Sequence, residues 1–184
     1  MASLIPSKAE IYGHLFENAL TGVTRNVFWN IDVEFQPVIL LGEEWTPRFA
    51  CEWLVWPVRE MDDLDGMSIE AAVQPDMVES TLYLVAEHHW VTTERLIIRR
   101  VGNTYRLEAA IRVDIDTGED RLQDLFEFSC DLEFTGVIVV PDNFEPKLSS
   151  SDGVTSAMDP FVAIEAFESP IVDGFRYLFK PKAR

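Results

Sequence analysis

The sequence predicts an α+β fold: a mostly antiparallel, curved β-sheet meander with an N-terminal helix and a short C-terminal helix packed on one face. Three observations predict it. Ser7-Lys8-Ala9-Glu10 has the spacing of a capping box, apolar residues alternate with period two from Val27 to Phe134, and Asp159-Pro160 has the character of a helix start near the C-terminus. Strands and helices do not alternate as a parallel sheet demands, which argues against a doubly wound nucleotide-binding fold.

Taken in order, Ile11, Leu15 and Ala19 fall on one face of the first expected helix, with Phe16 and Leu20 beside it and Gly22 as its stop. Val27, Trp29, Ile31, Val33 and Phe35 then point one way and Asn30, Asp32 and Glu34 the other, as in a half-buried strand ended by Pro37. Phe49, Cys51, Trp53 and Val55 repeat the pattern. Glu60 to Gly66 is a loop by composition, and Ser68 to Val73 is ambiguous between helix and strand. Thr81 to Thr93 is β-forming. Glu94 to Val101 and Thr104 to Ile115 form the clearest hairpin, because Gly102-Asn103 tolerates the positive φ angles of a tight turn. A polar connection, Asp116 to Asp124, leads to a strand with Phe126, Phe128, Cys130, Leu132 and Phe134 inward, and then to Gly136–Val140 past a bulge. Residues 142–158 read as a mobile loop, Phe161 to Glu168 as the short C-terminal helix, and Phe175 to Phe179 as a last strand. At 184 residues the chain is expected to be a single globular domain spanning 1–184.

The charge is segregated. Glu60 to Glu94 carries nine carboxylates and no Lys or Arg, and Asp114 to Glu145 carries ten against Arg121 alone, so these two stretches account for the net charge of −17 and the remainder is close to neutral. Such a field repels nucleic acid and anionic lipid and attracts a basic partner. Asp62, Asp63 and Asp65, with Asp116, Glu119, Asp120 and Asp124, fall in expected loops with too few local cations to neutralise them, and loops are where function concentrates. Glu127, Asp131 and Glu133 are instead expected to pair across strands with Arg106 and Arg112.

Phosphate-binding glycine loops, nucleophile elbows, His-Glu-x-x-His and Cys-x-x-Cys are all missing, which moves the reading away from the common enzyme classes, and no cofactor is expected. Asp62 to Gly66 lacks EF-hand ligand spacing. The catalytic or metal candidates are weak: Glu87 and His89, one pleat period apart on a strand, with Glu94 behind, His88 pointing the other way and His14 the only other imidazole. Cys51 and Cys130 occupy inward positions and read as inert thiols in a reducing compartment. Of five tryptophans, Trp29 and Trp53 alternate inward, whereas Trp45, Trp56 and Trp90 are candidates for exposed interface anchors.

The sequence therefore favours a cytoplasmic, non-enzymatic interaction module that presents acidic loops to a basic protein, most concretely an inhibitor or immunity-type protein masking a nuclease or nucleic-acid-binding surface. It implies no direct contact with nucleic acid and no membrane span. One alternative is a small-molecule-binding or enzymatic α+β domain with a cavity between sheet and helices, lined by Phe16, Trp29, Trp53 and Phe128. Another is a structural component whose charge confers only solubility.

Overall fold

In the computed structural model, which describes residues 4–40, 42–70, 78–116 and 121–183, the first thirteen-residue element is a strand and not a helix. β1 (Pro6–Asn18) buries Ala9, Ile11, Gly13 and Leu15, every second residue, and leaves Tyr12, His14 and Phe16 half-buried on its other face. The spacing of Ile11, Leu15 and Ala19 fits a four-residue step, which a two-residue period contains as readily as a helical one. The capping-box residues serve other ends: Ser7 Oγ donates to Glu34 O at 3.1 Å and Lys8 bonds Glu10 at 2.8 Å. The expected N-terminal helix is thus replaced by strand, and the protein is mostly β, not α+β with packed helices.

The other strands are β2 (Val23–Phe35), β3 (Val38–Leu40), β4 (Glu43–Trp45), β5 (Arg48–Leu54), β6 (Ser68–Glu70), β7 (Glu79–Leu84), β8 (Glu87–Trp90), β9 (Thr92–Val101), β10 (Thr104–Asp116), β11 (Arg121–Val139), β12 (Ile171–Asp173) and β13 (Arg176–Phe179). Their order in the main sheet is β6–β9–β10–β11–β1–β2–β5–β7–β8, β13 pairs with β11 and β12, and β3 pairs with β4 apart from it. The Gly102-Asn103 hairpin forms with Val101 opposite Thr104. The C-terminal helix is displaced. Ser150 accepts from Gly153 N and starts α1 (Ser151–Met158) inside the segment expected to be a mobile loop, Asp159 closes that helix, and only a 3-10 turn, Ile164–Ala166, falls in the expected Phe161–Glu168 span.

Two compact units share these elements, one of Met1–Glu10, Ile31–Trp53 and Asp65–Glu133, the other of Ile11–Asn30, Leu54–Leu64 and Phe134–Arg184. The first has an aromatic core in which Phe128 packs edge-on against Phe35 at 5.2 Å and Phe49 at 6.2 Å, flanked by the buried Val33, Leu82, Leu96 and Ile111. The second packs Phe134 against Trp29 at 5.7 Å and Phe167 at 6.1 Å, with Ile11, Leu15 and Val27 beside them. Full burial of each such side chain stabilises by about 1.5–3 kcal/mol.

Two backbone features carry the strand pairing. Gly136 has φ +117° and lies so close to β13 that a Cβ there would sit 2.1 Å from Phe179 O. Gly136→Ala is expected to lower the stability by about 2 kcal/mol or more in urea titration, from positive-φ strain and loss of the β11–β13 contact. The β7–β8 turn places Val85 at φ 52° and Ala86 at φ 59°, the two positive φ angles of a type I′ hairpin, which Asn-Gly adopts far more readily. Val85→Asn with Ala86→Gly should therefore raise the urea midpoint by the equivalent of about 1–2 kcal/mol with an unchanged slope.

Candidate functional site

The charged residues singled out by sequence have separate fates. Asp63 Oδ2 accepts from the backbone N–H of Arg59 at 2.8 Å and of Glu60 at 3.1 Å, and Asp65 Oδ1 accepts from Arg100 N at 2.8 Å, so both hold turns. Asp62 lies on the 3-10 turn Met61–Leu64. Asp116 and Asp124 are strand residues, not loop residues: β10 runs to Asp116 and Asp124 pairs with Val113. Asp124 Oδ1 accepts from Leu125 N at 2.8 Å. Glu119 and Asp120 lie outside the described residues. On β9–β11, Arg95 meets Glu127 at 3.8 Å, Arg99 meets Glu108 at 3.4 Å and Arg112 meets Glu94 at 2.6 Å. Arg106 faces Asp131 in register and donates to Ser129. The partners differ from those expected: Glu127 meets Arg95 and not Arg106 or Arg112, Arg112 meets Glu94, and Arg106 bonds Ser129.

The face of β5, β7 and β8 is different. Phe49, Cys51, Ser80, Leu82 and Leu84 are buried, so the pleat turns Arg48, Ala50 and Glu52 and also Glu79, Thr81 and Tyr83 to the opposite side. The register stacks them in rows. Arg48 stands opposite Tyr83 and Tyr83 opposite His88; Ala50 stands opposite Thr81 and Thr81 opposite Trp90; Glu52 stands opposite Glu79. On β5 and β7 the middle row is small where the outer rows are large, and the result is a cleft of about 440 Å³ lined by Glu34, Thr46, Arg48, Ala50, Glu52, Thr81, Tyr83 and His88.

Its electrostatics follow from one ion pair. Asp32, 8% exposed, holds Arg48 through two bonds, Nε to Oδ1 at 3.1 Å and Nη2 to Oδ2 at 2.6 Å. No hydrogen bond or ion pair from the described residues reaches Glu52 or Glu79. Burial pushes the Glu52 carboxyl above the usual carboxylate range, Asp32 and Glu79 push it further, and Arg48 and His88 oppose the shift only in part. Like charges placed directly opposite across two strands destabilise the pair.

The histidine expectation shifts by one residue. Glu87 and His89 do not form an acid/base pair: His89 is half-buried with Nε2 3.1 Å from Leu84 O, while Glu87 pairs in register with Leu84 at the turn. It is His88 that faces the cleft, its ring 5.1 Å from Tyr83. His14 lies half-buried against Phe16 at 5.6 Å, and its burial lowers its pKa. Among the described residues there is no cluster of three or more His, Cys, Asp or Glu arranged to hold a metal ion. Burial pushes the Cys51 and Cys130 thiols up to about 11, the opposite of what a nucleophile needs. Trp45 and Trp56 are half-buried, and Trp90, 69% exposed, stands opposite Thr81 of the cleft floor. The cavity expected between sheet and helices has no N-terminal helix to form it; Phe16 instead lines an open pocket of about 710 Å³ with the β1–β2 turn and Asp142 to Glu145.

No protein-family model, curated protein or solved structure matches this chain. Among the described residues, no helix is long and apolar enough to cross a membrane.

The raised Glu52 pKa has a signed consequence. The folded state binds this proton more tightly than the unfolded chain, so its contribution to stability falls as pH rises from the ordinary carboxylate value through the raised one. Glu79→Gln should move the Glu52 titration, followed by carboxyl ¹³C NMR, down towards the ordinary value, and Glu52→Gln should flatten the loss of stability across that window.

Proposed function

We infer that this protein is a non-enzymatic binding module that receives a basic protein partner on the β5–β7–β8 face, and that it acts as an inhibitor of the immunity type by masking a nuclease or nucleic-acid-binding surface. The observation that carries the reading is the Glu52–Glu79 pair: two carboxylates opposed in register, Glu52 lining a cleft whose own arginine, Arg48, is hydrogen-bonded to Asp32. A partner's Lys or Arg placed there relieves their mutual repulsion, which turns an unfavourable term of the free protein into a favourable term of the complex. Trp90 at the rim supplies the aromatic anchor of such an interface. The net charge of −17 attracts a basic surface over a distance of the order of the Debye length, about 8–10 Å at physiological salt, and speeds encounter. This reading places the protein in the cytoplasm, where the unpaired Cys51 and Cys130 are at home.

A Lys- and Arg-rich peptide titrated against the full chain tests it. Its affinity and association rate are expected to fall steeply between about 50 and 500 mM salt, and Glu52→Gln with Glu79→Gln to weaken it by about tenfold at low salt. An affinity indifferent to salt, or to this double substitution, removes the reading.

A further inference from the structure

We propose that the slot between the Tyr83–His88 ridge and the Glu52–Glu79 pair receives a guanidinium group, so that the basic partner is recognised through one arginine side chain. The proposal rests on the binding reading above and adds the chemistry of the recognised group. It stands on shape as well as charge. Ala50 and Thr81, the small residues of the middle row, make the floor of the cleft. Tyr83, 38% exposed, and His88 form one wall, two aromatic rings whose centroids lie 5.1 Å apart. The other wall is Glu52, with Glu79 opposite it in register. Residues directly opposite on antiparallel strands have Cβ atoms about 4.5–5.5 Å apart, so a guanidinium held by Glu52 also lies in the field of Glu79.

An ammonium fits this slot less well. It is a compact, strongly hydrated point charge that gains little from an aromatic face, whereas a guanidinium is planar, weakly hydrated and stacks on a single ring such as that of Tyr83, inclined at 60° to His88, while its remaining N–H groups donate sideways. The cation already in the lining does not fill the place, because Arg48 is directed to the buried Asp32 by two hydrogen bonds. Glu34, on the neighbouring β2, adds a further carboxylate to the lining, which suits a group with five donors better than one with three.

The experiment compares N-acetyl-arginine amide with N-acetyl-lysine amide, each titrated into the full chain at low salt and followed by ¹H–¹⁵N NMR. The arginine probe is expected to bind about threefold more tightly, the size of one exposed cation–π contact, with shifts concentrated at Ala50, Thr81, Tyr83 and His88. Tyr83→Leu should bring the arginine affinity down to the lysine value and leave lysine unchanged, a result that general loss of folding does not produce. Equal affinities, a preference for lysine or shifts centred elsewhere overturn the proposal. If the two probes bind equally and Glu52→Gln with Glu79→Gln weakens both, the guanidinium assignment falls while the basic-partner reading stands. If neither probe nor the Lys- and Arg-rich peptide binds, both fall.

Discussion

The pleat of β7 against β5 is the constraint on which the functional face depends. Phe49, Cys51, Ser80 and Leu82 are at most 3% exposed, and a slip of one residue would carry Glu79, Thr81 and Tyr83 into their place. Burying a carboxylate and a phenol there unpaired would cost several kcal/mol, so the register is held by the core and not by anything on the outer face. The outer face is therefore free to carry an arrangement that is unfavourable in itself. The opposed Glu52 and Glu79 are tolerated because what fixes their positions lies on the other side of the strands.

The same separation explains why the cleft stays negative although an arginine lines it. Asp32 is removed from water and needs a cation; Arg48 supplies it through a two-bond fork, and truncating either partner would leave a costly unpaired group. With its hydrogen bonds directed to Asp32, Arg48 offsets only part of the shift that burial, Asp32 and Glu79 impose on Glu52. On β9–β11 the opposite design holds, with Arg95, Arg99 and Arg112 each meeting a carboxylate, and that surface has little net field to offer a partner. Acidity in the sequence is thus divided in the fold between carboxylates that bond backbone N–H groups, such as Asp63 and Asp65, carboxylates that pair across strands, such as Glu94, Glu108 and Glu127, and the opposed pair Glu52 and Glu79.

How much of this was legible in the sequence depended on whether the signal was local. The β9–β10 hairpin was, because Gly102-Asn103 and two long alternations specify turn and register together. On β5 the alternation of Phe49 and Cys51 was legible, whereas Thr81 to Thr93 read only as β-forming and gave no faces for β7. The first element was not: Ile11, Leu15 and Ala19 satisfy both periods, and what decides for a strand is the buried Gly13, where a Cβ would come 2.8 Å from Val27 Cγ1, together with hydrogen bonds from Ser7 to a residue twenty-seven positions away. Such long-range partners have no local trace. Asp65 looked like a free loop charge for the same reason, since the N–H it accepts from belongs to Arg100, whereas Asp63 accepts from Arg59 and Glu60 just before it, a local turn. In β8, Glu87 and His89 stand opposite Leu84 and Leu82 and His88 opposite Tyr83, and what had no local trace is the cleft that His88 lines, since it forms only with β7 and β5 in place.

An unrelieved pair of carboxylates is a cost to the free protein, and costs of this kind concentrate where a surface is shaped for something other than its own stability. Replacing either glutamate by a neutral residue would remove the repulsion without disturbing the core, so nothing in the packing of β5 and β7 requires both charges. A cation brought from outside gains from Glu52 and Glu79 what it would gain from a single carboxylate and, in addition, the repulsion that it cancels. That surplus exists only at a site where the protein has not already supplied the counterion, and the fold withholds it by directing Arg48 to Asp32. On the proposed reading the specificity of the face comes from its walls: charge draws any basic group, while the small floor at Ala50 and Thr81 and the rings of Tyr83 and His88 favour one that is planar.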